Sequence, residues 1–156
     1  MLYFAYGSNM SPTQMRARCP GARPAGVGEL VGWRFMITTR GTANIRPEPN
    51  ARLYGTLWKC QPRHLAMLDR YEAVRHRLYR RRTVIVQCDN GTVRHALAYV
   101  SSLHHEGVAR IEYLTTAVLP GARAFRLPET YVEEIESWLP PTSVGVAKPR
   151  YRGRRH

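Results

Sequence analysis

Acidic residues are scarce in this chain, with 11 Asp and Glu against 24 Lys and Arg and a formal charge of +13. A carboxylate that does chemistry must therefore come from a short set. Glu129, Glu133, Glu134 and Glu136 of that set are expected on the exposed side of a last helix. Cysteine is sparse too: Cys19, Cys60 and Cys88 are odd in number and widely spaced and form no CxxC pair. That excludes a disulfide framework and a cysteine zinc site, and leaves reduced, mostly packing residues. No apolar run is long enough to span a bilayer, since the opening one covers only residues 2–6. The first residues lack the basic start, long apolar stretch and small-residue cleavage site of a secretory signal, so a cytoplasmic location is expected, with no membrane partner. Neither a P-loop nor a GxGxxG is present, and no cofactor is expected. Ser8 has no GxSxG elbow around it, which argues against a nucleophilic triad. His104 and His105 stand beside Glu106, but adjacent side chains on an extended segment diverge; they read as loop residues, and no metal site is expected.

What is present suits one folded domain. A chain of 156 residues with 44% hydrophobic content can bury one core and hold one site. Residues 2–6 read as a buried strand, and Ser11-Pro12-Thr13-Gln14 then supplies an N-cap serine, a proline at the first helical position and a Gln three residues after the cap. A short helix is predicted there, ending before Pro20-Gly21. Apolar residues punctuated by turns over 25–31, 33–39, 42–46 and 52–59 predict several short strands. Gln61-Pro62 opens a helix with Leu65 and Leu68 on one face. Residues 78–88 and 92–101 flank Asp89-Asn90-Gly91, whose Asn-Gly pair offers the positive φ angles of a tight hairpin. From Val108 the spacing turns helical, with a kink or split expected at Pro120-Gly121, and a last helix from Pro128 carries Tyr131, Ile135 and Trp138 on one stripe. Strands first and helices last predict an α+β domain, a small mixed or antiparallel β-barrel flanked by helices.

Positive charge gathers in two places. Residues 140–156 carry Lys148, Arg150, Arg152, Arg154 and Arg155, no acidic residue and little apolar content, and read as a basic, extended tail beyond a domain of residues 1–139. Such a tail suits an anionic partner or simple solubilisation. Arg70, Arg75, Arg77, Arg80, Arg81 and Arg82 surround Glu72, which follows an apolar helix and precedes a strand. Side chains at such junctions often point into clefts. Glu72 is thus either a chemical carboxylate or an ion-pair partner of Arg70, Arg75 or Arg77.

The opening strand stops abruptly at Gly7-Ser8-Asn9. A turn of that composition presents clustered backbone N–H groups able to hold a carboxylate or a developing oxyanion, although the same residues also serve an ordinary packing turn.

Together these segments resemble the γ-glutamylcyclotransferase-like family, which includes the plant avirulence-induced-gene-like proteins. Phe4-Ala5-Tyr6-Gly7-Ser8-Asn9-Met10 is similar to the family's Tyr-Gly-Ser-Asn-(Leu/Met) signature. The likeness continues through Ala43-Asn44-Ile45, Tyr54-Gly55-Thr56-Leu57-Trp58, Leu68-Asp69-Arg70-Tyr71-Glu72-Ala73-Val74, Leu78-Tyr79-Arg80-Arg81, Tyr113-Leu114, Gly121-Ala122-Arg123 and Leu127-Pro128, covering roughly residues 2–139. The resemblance implies that Glu72 is the acid/base, that Tyr6, Gly7, Ser8, Asn9 and Met10 hold the γ-glutamyl group, and that Tyr79 stands near the pocket. It implies release of 5-oxoproline and a free amine from a small γ-glutamyl substrate by attack of that substrate's own α-amine. Two positions depart from the family pattern: Ala73 replaces a glycine and Asn44 a threonine. A catalytically silent binding module of the same fold and, lower in rank, a basic nucleic-acid-associated protein are the alternatives.

Overall fold

The computed structural model describes residues 1–71 and 79–141. Its frame is a closed barrel of five strands: β1 (Leu2–Ala5), β2 (Arg23–Ile37), β3 (Ala43–Lys59), β4 (Tyr79–Cys88) and β5 (Val93–Ser101). The strands run in the order β1-β3-β2-β4-β5. Neighbours pair antiparallel except where β5 meets β1 in parallel, Tyr3 opposite Leu97, and closes the barrel. Every residue of β1 is buried. Phe4 lies against Gly28 and Gly55, which stand opposite one another on β2 and β3.

The four short strands predicted over residues 25–59 are two long ones instead. The ladder between β2 and β3 absorbs the turn-like residues as bulges: between the pairs Val31–Arg52 and Trp33–Pro47, residues 48–51 of β3 face the single Gly32. Asn50 takes φ 68° there, so the excess loops out and pairing resumes on both sides. The β4–β5 hairpin forms where expected, with one correction. Only Gly91 has positive φ, and the Gly91 N–H donates to the Cys88 carbonyl at 3.0 Å. The connection is therefore a type I turn closed by a left-handed glycine, not a tight turn with two positive angles.

Helices close the barrel's flanks. In α1 (Pro12–Arg18) the Gln14 N–H donates to Ser11 Oγ at 3.3 Å, the expected cap. In α2 (Pro62–Tyr71) Leu65 and Leu68 are buried. His64 Nδ1 accepts from the Gln61 N–H at 3.0 Å, which leaves Nε2–H to donate to the Pro20 carbonyl at 2.8 Å and ties α2 to the end of α1. Pro120-Gly121 does not split the next helical run. The run passes from α3 (Ile111–Tyr113) through a π-helical segment (Leu114–Val118) into α4 (Leu119–Ala124). The wider π turn upstream accommodates a proline that cannot donate. In α5 (Glu129–Glu136) Tyr131, Val132 and Ile135 are buried; Trp138 packs on the core from two residues beyond the helix end.

The three thiols are free. Burial pushes Cys19 and Cys60 up to about 11, as suits packing residues. No helix among the described residues is long and apolar enough to cross a membrane.

Candidate active site

At the C-terminal end of β1 the chain turns through Gly7 into a single 3-10 turn, Ser8–Met10, closed by the Met10 and Ser11 N–H groups on the Gly7 and Ser8 carbonyls, both at 3.1 Å. The first amides of such a turn have no acceptor within it. The side chains of the loop are spent on holding it. Tyr6 donates its hydroxyl to the Tyr99 carbonyl. Asn9 Nδ2 donates to Tyr3 Oη at 3.0 Å, while Arg18 donates to Asn9 Oδ1 at 2.7 Å and to Ser8 Oγ at 3.1 Å. Ser8 is therefore a buried acceptor for a guanidinium, and no general base bonds it among the described residues.

This loop forms one wall of a cavity of about 460 Å³. Of the residues expected at the site, Tyr6, Gly7, Ser8, Asn9 and Tyr79 line it. Met10 does not: it is completely buried in the core, with Gly121 of α4 so close behind that a methyl group there would come within 2.6 Å of the Met10 carbonyl carbon. Its role is to seat the loop on α4. Glu72 lies outside the described residues, as do Ala73, Arg75 and Arg77. Tyr71 and Tyr79, the described residues on either side of that segment, both line the cavity.

The second wall is the start of β3, clamped by two tyrosines. Tyr79 donates its hydroxyl to the Ala43 carbonyl at 2.8 Å, so the Thr42 hydroxyl at 3.0 Å donates to Tyr79. The Ala43 N–H donates to Tyr113 Oη at 3.1 Å. Gly7 leaves room for this arrangement, since a methyl group there would lie 2.8 Å from Tyr113 Oη. Asn44, buried beside them, bonds the Ser101 N–H and the Ser101 and Leu103 carbonyls, so the departure from the family's threonine ties β3 to the end of β5.

The third wall is Tyr99 on β5, and sequence spacing gave no signal for what supports it. Its hydroxyl donates to Asp69 Oδ1 at 2.6 Å, and Asp69 accepts both Arg81 Nε at 2.9 Å and Arg81 Nη2 at 2.6 Å. Burial alone would raise the Asp69 carboxyl, but the hydrogen bonds from Arg81 and Tyr99 and the Arg81 charge outweigh it and hold it below the usual carboxylate range. Burial and the Asp69 carboxylate push the Tyr99 phenol up, so it stays protonated. Two of the arginines that cluster around Glu72 in the sequence have partners elsewhere: Arg81 pairs with Asp69, and Arg82 lies over the Trp33 ring at 5.0 Å.

Beyond the expected residues, the lining adds Tyr3, Tyr71, Tyr99 and Tyr113, together with Arg18, Arg40 and Arg110. Arg18 sits over the Tyr71 ring at 4.9 Å. No carboxylate occurs among the described lining residues. The cavity is accordingly a tyrosine-rich, electropositive cleft with hydrogen-bonding walls, suited to a small anionic or zwitterionic molecule.

Comparison with known proteins agrees with this architecture. The profile of the AIG2-like family matches residues 52–135. A γ-glutamylcyclotransferase of Bos taurus is 26% identical over 149 residues, covering 89% of this chain and 79% of its own length. Its Homo sapiens counterpart is 25% identical over 154 residues, covering 92% and 81%. Among solved structures, a γ-glutamyl cyclotransferase superposes with a TM-score of 0.84 at 24% identity, over 93% of this chain and 91% of that one, a likeness of fold.

Proposed function

The chain belongs to the AIG2-like family, and from that membership we propose that it is a γ-glutamylcyclotransferase-type enzyme whose site is the tyrosine-lined cavity, with Glu72 as its acid/base. The observation that carries this reading is the composition of the cavity wall: Tyr71 and Tyr79, which bracket the segment containing Glu72, face the same space as residues 7–9. The curated relatives named γ-glutamylcyclotransferase align over most of the chain and support the same activity.

The chemistry follows from the substrate's own connectivity. In a γ-glutamyl compound the α-amine and the γ-carbonyl belong to one molecule, so a cavity that folds the chain back on itself supplies an effective molarity on the order of 10⁵ M or more. Glu72 takes a proton from the α-ammonium; the freed amine attacks the γ-carbon, and a new C–N bond forms. The bond to the leaving nitrogen then breaks as that nitrogen receives the proton from Glu72; the attacking nitrogen gives up its second proton as the lactam forms, and the amine departs as an ammonium. The products are 5-oxoproline and a free amine, and no water is consumed. The loop amides of residues 7–9 stabilise charge developing on the γ-oxygen, while Arg18 and the tyrosines orient the zwitterion. A glutamate that both accepts and returns a proton works best with a pKa raised toward working pH. Activity on small soluble γ-glutamyl compounds also suits the cytoplasmic location expected from the sequence.

A panel of γ-glutamyl amino acids and amines, assayed for 5-oxoproline and for the amine released with it in equal amount, tests the proposal. Release from at least one compound is the expected result. A folded protein that binds such compounds and leaves all of them intact would instead mark a silent binding module.

A further inference from the structure

The rim of the cavity carries two arginines that the cyclisation itself does not use. Arg40 stands in the turn between β2 and β3, and Arg110 immediately precedes α3. Both are exposed and both line the cavity. Local backbone bonding fixes them on one edge. The Arg40 N–H donates to Thr38 Oγ1 at 3.2 Å, the Gly41 N–H to the Thr38 carbonyl at 2.9 Å, and the Arg110 N–H to the Gly41 carbonyl at 3.2 Å. Gly41 is needed between them. It takes φ 81°, and a methyl group there would come within 2.6 Å of Arg110 Cγ, so only glycine lets the Arg110 stem lie across the turn that presents Arg40.

Elsewhere on the described surface, arginines near carboxylates pair with them: Arg34 with Glu48, Arg46 with Glu106, Arg52 with Glu29, Arg81 with Asp69 and Arg123 with Glu136. Neither Arg40 nor Arg110 joins an ion pair among the described residues. Arg18 is a further cation in the cavity wall, held on the loop after β1, where it bonds Ser8 and Asn9. The γ-glutamyl half of a substrate has one carboxylate, and one centre can meet it. The other centre calls for negative charge on the leaving amine.

Resting on the cyclotransferase reading, we propose that Arg40 and Arg110 are specificity-determining residues that select a γ-glutamyl compound whose leaving amine bears carboxylate, an acidic amino acid above a neutral one. The same pair acts against a neutral alkylamine and, most strongly, against a polyamine, whose charge it repels. Electrostatic selection of this kind changes KM more than kcat and weakens as salt screens the exposed guanidinium groups.

The test is a charge series: kcat and KM for γ-glutamyl-glutamate, γ-glutamyl-alanine, γ-glutamyl-ethylamine and γ-glutamyl-putrescine, at low and high salt, with the wild type, Arg40→Gln/Arg110→Gln and Arg40→Lys/Arg110→Lys. The wild type should fall in kcat/KM along that order. The Gln pair should shrink the glutamate-to-ethylamine ratio by roughly tenfold, mainly through KM, and the Lys pair should keep part of it. High salt should compress the wild-type ratio as well. A wild type that turns over the series with a ratio unchanged in the Gln pair, or that prefers the putrescine conjugate, overturns this inference and leaves the cyclotransferase reading standing. A wild type inert on the whole series overturns the cyclotransferase reading itself.

Discussion

Gly7 shows how much of the site rests on single atoms. It leaves space for the Tyr113 hydroxyl, 2.8 Å from where a methyl group would stand. Gly7→Ala is expected to lower kcat/KM by roughly ten- to a hundredfold through displacement of the loop and Tyr113. In a Tyr113→Phe background the same change should cost much less, because the clashing oxygen is gone; steady-state kinetics over the four proteins measure that coupling. Asp69 makes a second residue-scale case. Its folded-state pKa lies below the unfolded value of about 3.9, so the native state holds fewer protons in that range, and the contribution is present above about pH 3.9 and lost as pH falls. Acid unfolding followed by circular dichroism should show Asp69→Asn less stable at pH 7, with the difference from wild type narrowing below pH 4. Sequence reading located the turn of residues 7–9 that lines the cavity, because Gly-Ser-Asn after an apolar strand has a local signature. It missed Asp69 as a support for the site, because its partners Tyr99 and Arg81 are 30 and 12 residues away and spacing along the chain carries no trace of them.

At the scale of elements, the barrel depends on a glycine pair facing across two strands. Gly28 and Gly55 are directly opposed, and Phe4 of β1 lies against both. A methyl group at Gly55 would stand 2.4 Å from the Ala5 carbonyl oxygen, which is backbone, whereas at Gly28 it would stand 2.2 Å from Val86 Cγ1, which is side chain. Both Gly→Ala variants are expected to destabilise by about 1–3 kcal/mol, lowering the thermal midpoint by roughly 2–12 °C. Val86→Ala should restore most of the loss at Gly28, while no trimming of Phe4 restores Gly55. Differential scanning calorimetry distinguishes the two. Local signals located β1, the Ser11 cap, α2 and the β4–β5 pairing. They divided β2 and β3 into pieces, since glycine, proline and Asn50 punctuate the sequence at bulges that the long ladder tolerates. The π-helical segment before Pro120 was likewise invisible, because the run's continuity is supported by packing of α4 against Met10 and Ser11 rather than by local preference.

For the molecule as a whole, net positive charge of +13 is less informative than its placement. Among the described residues, five arginines are engaged with carboxylates, Arg82 lies over Trp33, and Arg18, Arg40 and Arg110 line one cavity. The closed barrel turns the ends of distant segments toward that cavity: the β1 loop, the β2–β3 turn, the end of α2, the start of β4 and the turn before α3. On the proposed reading, Glu72 adds the carboxylate that the described lining of this electropositive, tyrosine-rich space lacks. The most direct measurement compares wild type with Glu72→Gln on the best γ-glutamyl compound, following 5-oxoproline release and, separately, binding by calorimetry. Binding within a few-fold of wild type with release lowered by at least about a hundredfold is expected if Glu72 moves the proton. Release at the wild-type rate by a folded Glu72→Gln protein would contradict the assignment of Glu72 as acid/base.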